Sequence, residues 1–333
     1  MKQLIEFNEN GMYVRAADVY IDPWRPVKRA IITHAHSDHA RWGMGAYLSQ
    51  HQSIPFLKRR LGDGIYEGLN YRQSIQINGV EITLFPSGHV PGAAQVRVKY
   101  EGETWVASGD YKTVDDGISE PFEPVLCDTF ITESTFGLPV FNWPELAVLT
   151  HQINQWWQQN IYEQKCSVVF AYSLGKAQRI LQMLNPELGK IYVHGAVASM
   201  NEACIEAGLT LHTYHTVQPS TTDYAGALVI APPSALGSPW LKKFEPYDTA
   251  MASGWMNMRG TRRRNAVDTG FVISDHADWQ GLNNAIKNTG AEQVIVTHGY
   301  TAIFAKWLSE NGYQAIDVKT AYEGETLINN DSE

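Results

Sequence analysis

Apolar residues in the first 140 positions occur in short runs of strand length, separated by glycine, proline and asparagine. Such runs are typical of short strands, and sustained helical patterns are scarce here. Strands are predicted at residues 11–14, 30–33, 80–84, 94–98, 105–108 and 129–132. This part of the chain therefore favours one half of a layered α/β sandwich.

From about residue 143, helical and strand-like stretches alternate. Helices are predicted at residues 144–157, with Pro144 in the first turn, at 174–184 and at 199–208. Strands are predicted between them at residues 167–171, 191–193 and 227–230. This alternation predicts a second sheet, with parallel strands of its own.

After about residue 270 the first pattern returns, with strands at residues 271–274 and 293–297 and a helix at 279–288. The middle block is therefore predicted to be inserted into a discontinuous domain. The predicted boundaries are residues 1–140 and 270–333 for the two parts of that domain, and residues 141–269 for the insertion.

The composition allows a large core and argues against some classes of protein. The chain has 333 residues, of which 44% are hydrophobic, but it has no apolar run of about 18 residues, so no membrane span is expected. The N-terminus lacks the long apolar stretch of a signal peptide, and the three cysteines are far apart. These features predict a cytoplasmic protein with reduced thiols. A net charge of −9 argues mildly against a non-specific nucleic-acid coat protein, although a nuclease needs only local positive charge.

The pattern H-x-H-x-D-H follows the apolar run at residues 30–32 and contains His34, His36, Asp38 and His39. An extended segment directs alternate side chains the same way, so His34 and His36 can converge on one metal ion. Asp38 and His39, where we expect a helix to begin, can face a second ion. Imidazole and carboxylate donors without a thiolate favour zinc or manganese at an open hydrolytic site. The pattern therefore predicts metal-assisted hydrolysis.

Five more chemically active residues lie at the ends of predicted strands, each beside small residues that permit close approach of the backbone. They are His89, Asp110, Glu133, His276 and His298.

Together these motifs resemble the metallo-β-lactamase superfamily. Glu-Ser-Thr-Phe-Gly from Glu133, Ser-Asp-His-Ala-Asp around His276 and His-Gly at His298 resemble the additional motifs of its β-CASP nucleases. The arginine-rich stretch before His276 is similar to that of bacterial ligase-associated DNA exonucleases. The resemblance covers nearly the whole chain, and it implies an αββα metallo-β-lactamase sandwich with an inserted β-CASP α/β domain.

The resemblance also implies two divalent metal ions, Zn²⁺ or Mn²⁺, which can activate water and stabilise an in-line phosphoryl transition state. The implied ligands are His34, His36 and His89 for one ion, and Asp38, His39 and His298 for the other, with Asp110 bridging them.

The implied catalytic residues are His276, Glu133 and Asp38, of which Asp38 is also a ligand. His276 is the expected general acid that protonates the leaving oxygen, and Glu133 orients it. From the sequence alone, His276 and His298 could exchange the acid and ligand roles.

Substrate binding is predicted at two positive segments. Arg259, Arg262, Arg263 and Arg264 form the densest positive patch, and arginine suits phosphate through charge and bidentate geometry. Ser173 and Lys176 lie at a predicted strand-to-helix turn, where backbone amides favour anions. The plainer alternatives are a solvated surface for the arginines and ordinary helix-start residues for the other two.

The leading functional hypothesis is a two-metal exonuclease that acts on single-stranded DNA. By resemblance it works from the 5′ end, leaves 5′-phosphates and takes part in DNA repair, in the same pathway as a DNA ligase and a helicase. The alternative is an RNA-processing β-CASP ribonuclease, because the 2′-hydroxyl contact that separates the two substrates cannot be found in the sequence. Hydrolysis of a small molecule and a silent nucleic-acid-binding subunit are the remaining hypotheses.

Overall fold

The computed structural model describes residues 3–220 and 223–322, with the exception of the Arg262 side chain. These residues form two compact units. The first contains residues 3–141 and 276–322, and the second contains residues 142–275 without 221–222.

The first part of the first unit contains one α-helix and short strands that belong to two sheets. In chain order these are β1 (Glu6–Asn8), β2 (Gly11–Val14), β3 (Val19–Ile21), β4 (Ala30–Ile31), β5 (Tyr47–Gln50), a 3₁₀ turn (His51–Ser53), α1 (Ile54–Leu61), β6 (Tyr66–Leu69), β7 (Ser74–Ile77), β8 (Val80–Pro86), β9 (Ala94–Tyr100), β10 (Glu103–Ala107) and β11 (Thr129–Ser134).

The second unit alternates helices and strands. Its elements are α2 (Leu146–Tyr162), β12 (Cys166–Phe170), α3 (Lys176–Met183), β13 (Ile191–Val193), α4 (Gly195–Glu206), β14 (His215–Thr216), β15 (Leu228–Ala231), two 3₁₀ turns (Pro233–Ala235 and Pro239–Phe244), β16 (Tyr247–Ala252), a 3₁₀ turn (Gly254–Asn257), α5 (Thr261–Arg264) and β17 (Thr269–Phe271).

The chain then completes the first unit with α6 (Trp279–Thr289), β18 (Gln293–Gly299), α7 (Thr301–Glu310) and β19 (Gln314–Asp317). One sheet has the order β1-β2-β3-β4-β5-β6, and the other has the order β19-β18-β11-β10-β9-β8-β7. Strand β18 pairs in parallel with β11. Residues that precede the second unit in sequence therefore share one sheet with residues that follow it.

Alternate residues of the central strands of the first unit enter two different cores. Trp105 and Ala107 pack in a core with Ile21 of the facing sheet, whereas Val106 packs with residues of α6 and α7 such as Leu282. This alternation follows from the two-residue period of a strand. Each fully buried aliphatic or aromatic side chain contributes about 1.5–3 kcal/mol. The first unit is therefore a mixed α/β sandwich.

The sheet of the second unit has the order β14-β13-β15-β12-β16-β17. All its pairs are parallel, which confirms the predicted parallel sheet. Side chains of α2, α3 and α4 pack on one face, and the 3₁₀ turns at residues 233–235 and 239–244 contribute to the core on the other.

Two local predictions in this region need correction. Helix α2 begins at Leu146, because Glu145 has an extended backbone with ψ of 143°, so Pro144 lies before the helix rather than in its first turn. The strand predicted at residues 271–274 is β17, which ends at Phe271 and pairs with β16. It therefore belongs to the sheet of the second unit.

None of the helices in the described ranges is long and apolar enough to cross a membrane.

Candidate metal centre

The predicted ligands lie where neighbouring strands end. His34 and His36 follow β4, Asp110 follows β10, and His298 lies near the end of β18. Strands β10, β11 and β18 are parallel, so their carboxyl ends meet at one edge of the sheet. Close approach at this edge requires glycine at position 109, where φ is +56° and a Cβ atom would lie 2.7 Å from the Thr33 hydroxyl oxygen.

The helix expected to begin at Asp38 is instead a single turn. The amide of Ala40 donates to the carbonyl of His36 at 2.8 Å, and no helix continues from it within the described residues. Gly43 and Gly45 follow within five residues of this turn, and glycine is a poor helix former. The turn still brings Asp38 back towards His39, with Oδ2 3.6 Å from Nε2.

Asp110 is the centre of the cluster. Its Oδ2 atom lies 3.5 Å from Nε2 of His34 and 3.8 Å from Nε2 of His89. Its Oδ1 atom lies 3.5 Å from Nε2 of His39 and 3.2 Å from Nε2 of His298. The two oxygens of one carboxylate therefore face two different pairs of imidazoles.

Donor atoms of the cluster fall into overlapping groups in which all atoms lie within 4.8 Å of one another. We call His34, His36 and His89 the first subsite, and Asp38, His39 and His298 the second subsite, with Asp110 shared. One group contains the first subsite with Asp110, and another contains His39, Asp110 and His298. Asp38 groups with His39 and also with His34.

The donor set fits divalent metal ions. Nε2 of His34, Nε2 of His39 and Oδ1 of Asp110 are buried and make no hydrogen bond in the part of the chain that the structure describes. Buried polar atoms of this kind are rare unless something else satisfies them. Nitrogen and carboxylate donors without a thiolate suit zinc or manganese.

Electrostatics within the cluster link metal binding to proton release. Burial lowers the pKa of His34 well below its usual value. Burial also opposes the charged form of His39, but the carboxylates of Asp110, Asp38 and Asp22 outweigh it and raise the pKa of His39 to about 10. A metal ion must therefore displace a proton from His39 when it binds.

Two residues that the sequence analysis missed hold the ligand rings. Asp22 Oδ2 lies 2.8 Å from Nδ1 of His39 and accepts a hydrogen bond from the Thr33 hydroxyl at 2.5 Å. The Thr33 hydroxyl oxygen is also 3.0 Å from Nδ1 of His34. These contacts direct Nε2 of both rings towards Asp110. Asp22 directly follows β3, so the rule that identified Asp110, a carboxylate at the end of a strand, could have found it.

Glu133 and His276 form a buried pair next to the cluster. Nδ1 of His276 lies 3.0 Å from Oε1 and 2.9 Å from Oε2 of Glu133, and Oε1 accepts the amide of Tyr111 at 2.8 Å. Burial opposes the charge on Glu133, but His276 outweighs it and lowers the pKa of Glu133. Glu133 is therefore an anion that fixes the orientation of the imidazole.

Known proteins resemble this chain across its length. It is 28% identical over 308 residues to a protein of Opitutus terrae named "Probable DNA ligase", a match that covers 92% of this chain. It is 32% identical over 145 residues to "Cleavage and polyadenylation specificity factor subunit 3" of Dictyostelium discoideum, covering 40% of this chain. It is also 21% identical over 324 residues to "Probable RNase MJ4" of Methanocaldococcus jannaschii. Relatives of these names are β-CASP nucleases of the metallo-β-lactamase superfamily, and this chain is similar to them.

The predicted resemblance to β-CASP nucleases is thereby confirmed, although no family model matches the chain. The chain spans 30% of the Opitutus protein, 18% of the Dictyostelium protein and 75% of the Methanocaldococcus protein. A crystal structure of an Enterococcus faecalis protein of unknown function has a TM-score of 0.59 at 12% identity, covering 80% of this chain and 74% of that one. That likeness concerns the fold alone.

The predicted phosphate contacts lie in the second unit. Arg259, Arg263 and Arg264 are exposed, and the side chain of Arg262 lies outside the described residues. Lys176 is only 2% exposed, and its ammonium group lies 3.3 Å from Oδ2 of Asp275.

Ser173, the other predicted contact near the start of α3, is 3% exposed. The side chains of Arg259, Arg263 and Arg264 are thus open to solvent, whereas Ser173 and Lys176 are buried. Their roles in substrate binding stay predictions.

Proposed function

We propose that this chain is a metal-dependent nuclease that hydrolyses phosphodiester bonds in single-stranded DNA. The observation that carries the proposal is the division of the two Asp110 oxygens between two imidazole pairs, with Glu133 and His276 beside them. Hydrolysis of a phosphodiester needs stabilisation of negative charge and a proton for the leaving oxygen, and this constellation has groups for both.

The first and second subsites would each hold one divalent ion, Zn²⁺ or Mn²⁺, with Asp110 shared. When bound, the ions supply Lewis acidity and a nucleophile at neutral pH. Residues of the chain supply the proton for the leaving oxygen. Glu133 accepts the Nδ1 proton of His276, so Nε2 is left to hold the proton that the leaving oxygen takes. His298 is the better candidate ligand, because its Nε2 faces Oδ1 of Asp110 at 3.2 Å whereas Nδ1 of His276 is held by Glu133.

DNA is the proposed substrate because the likeness to the protein named a probable DNA ligase covers 92% of the chain. Action from the 5′ end, release of 5′-phosphates and a place in cytoplasmic DNA repair beside a ligase and a helicase belong to the same proposal. RNA is the second candidate, favoured by the likeness to proteins named as an RNase and as a cleavage and polyadenylation factor. We further propose that the first unit is the metallo-β-lactamase domain and the second unit the inserted β-CASP domain.

The test uses end-labelled single-stranded DNA and an RNA of the same sequence, with added Zn²⁺ or Mn²⁺. Wild type is compared with Asp38→Ala and with Asp63→Ala, which removes an exposed carboxylate of the same unit. We expect DNA shortening that Asp38→Ala abolishes and Asp63→Ala retains, and the labelled end reveals the direction. Cleavage of RNA alone would move the proposal to RNA processing, and cleavage of neither would contradict it.

A further inference from the structure

Tyr322 lies against the second subsite although it is far from it in sequence. Its ring is stacked on His39, with centroids 4.4 Å apart and an interplanar angle of 7°. Its edge-to-face contact with His298 has a centroid distance of 5.7 Å. Tyr322 thus contacts two of the three side chains of that subsite, and it is 8% exposed.

The hydroxyl of Tyr322 contacts Asp22, the residue whose carboxylate holds His39. It donates to the backbone carbonyl of Asp22 at 3.0 Å. Asp22 has a positive φ of 43°, which residues other than glycine seldom adopt. The hydrogen bond from Tyr322 therefore holds Asp22 in the conformation from which its carboxylate reaches Nδ1 of His39.

Neighbouring contacts fix Tyr322 itself. Trp24 packs its ring edge-on against Tyr322 at 5.6 Å, and the Trp24 indole donates to the carbonyl of Glu9 at 2.7 Å. The guanidinium of Arg41 donates to the carbonyl of Ala321 at 3.2 Å and to the carbonyl of Asp38 at 3.4 Å. Arg41 therefore links the backbone beside Tyr322 to the backbone of a residue in the second subsite.

We infer that Tyr322 is a positioning residue for the second subsite, acting on a metal ion through His39 and Asp22. A single hydrogen bond at Nδ1 lets an imidazole swing about that bond, and a stacked ring fixes the plane in which Nε2 points. Metal binding makes an imidazole more positive, and the face of a tyrosine ring is negative, so the stack is stronger with the ion bound. The inference rests on the metal centre of the proposed function and not on the choice of nucleic acid.

The test is a titration of the metal-free full chain with Zn²⁺ against a chromophoric chelator. We expect wild type to bind two ions. Tyr322→Leu should weaken one ion by about 10–100-fold, the usual effect of losing a residue that orients a ligand, and leave the other within about twofold. Tyr322→Phe retains the stack and loses only the hydroxyl, so it should weaken the same ion by no more than about tenfold.

Two ligand backgrounds assign the effect to a subsite. In a His36→Ala background, which damages the first subsite, Tyr322→Leu should still weaken the remaining ion. In a His298→Ala background, which damages the second, it should have no further effect. The matched control is Tyr224→Leu, because Tyr224 is 3% exposed, packs on aromatic rings and donates to a backbone carbonyl of the second unit. Circular dichroism of the metal-free proteins separates loss of folding from loss of affinity.

The outcomes separate the inference from the proposal on which it rests. If wild type binds two ions and Tyr322→Leu changes neither affinity, or changes both equally, the inference is wrong and the metal centre stands. If folded wild type binds no Zn²⁺, the proposed metal centre itself is wrong. If two ions bind with the expected variant pattern but no nucleic acid is cleaved, only the nuclease proposal fails.

Discussion

Asp110 is 3% exposed, and among the described residues the imidazoles of His34, His39, His89 and His298 approach its two oxygens within 3.8 Å. Burying an isolated carboxylate is costly, and burial raises the pKa of Asp110 against the opposing effects of His39 and His298. Cations placed between the carboxylate and the imidazole nitrogens would neutralise it. At the scale of single residues, a metal centre thus explains both the burial and the geometry.

The roles of His276 and His298 can be separated by measuring metal content and turnover together. We expect His276→Gln to retain both metal ions but to cleave DNA about 10²–10⁴-fold more slowly in single-turnover assays, because it loses a general acid. His298→Gln should lose metal affinity as well as activity, because it removes a ligand. Metal loss in the first variant with full metal content in the second would mean that the two residues exchange roles.

At the scale of elements, helix α3 is anchored by a buried charge cluster. Lys176 and Arg179 are three residues apart, so their side chains lie on one face of the helix. Both reach Asp275, at 3.3 Å and 2.8 Å, and Arg179 also donates to the carbonyl of Ser274. The start of α3 is thereby fixed to the segment that follows β17.

Asp275→Ala should destabilise the second unit by about 3–5 kcal/mol, because it leaves two buried cations without their carboxylate. Urea unfolding followed by circular dichroism gives the change in free energy. Asp63→Ala, at an exposed position, should stay within about 0.5 kcal/mol of wild type. An equally small change for Asp275→Ala would show that the ion pairs contribute little.

The exposed arginines Arg263 and Arg264 of α5 should contribute little to stability, in contrast to Asp275. Arg263→Ala and Arg264→Ala should leave the unfolding free energy within about 0.5 kcal/mol of wild type. If they contact phosphates, each should weaken the binding of single-stranded DNA and reduce the salt dependence of log Kd by about one unit. Binding is best measured in the Asp38→Ala background, with Lys287→Ala as an exposed control in α6. An unchanged salt dependence would mean that these arginines are only a solvated surface.

At the scale of the whole molecule, the two units have separate cores and should unfold as separate cooperative blocks. The candidate metal ligands all belong to the first unit. Ligand binding stabilises only the block that contains the site, by about 4 kcal/mol when free metal is about 1,000 times Kd.

Chelation should therefore lower the unfolding temperature of the first unit and leave that of the second unchanged in calorimetry. The shift should shrink between about pH 8 and about pH 6, because both lie below the raised pKa of about 10 of His39, so a proton competes with metal for that imidazole more strongly as the pH falls. Equal shifts of both transitions would contradict separate blocks, and no shift at either pH would contradict metal stabilisation.

Much of the fold follows from local patterns. Strands such as β10 and β18 are predicted within a few residues because each contains an unbroken apolar run. Strand β8 is predicted because apolar and polar residues alternate along it. The parallel sheet of the second unit was predicted for a similar reason, since strands that alternate with helices have few other ways to bury both. The helix predicted to begin at Asp38 was wrong, because a single turn and a helix begin with the same local pattern. Gly43 and Gly45, a few residues later, disfavour continuation of the turn as a helix.

The sequence by itself determined the types of metal donor, because H-x-H-x-D-H and the residues at strand ends carry imidazole and carboxylate groups. Only the tertiary structure decided what holds those donors. Asp22 and Tyr322 meet although 300 residues separate them, and Glu133 reaches His276 across 143 residues. The structure also buries Lys176 against Asp275, where its place at a helix start had predicted exposure to a phosphate. Periodicity and motif spacing carry information over a few residues, whereas these contacts form only when each unit packs around its own core.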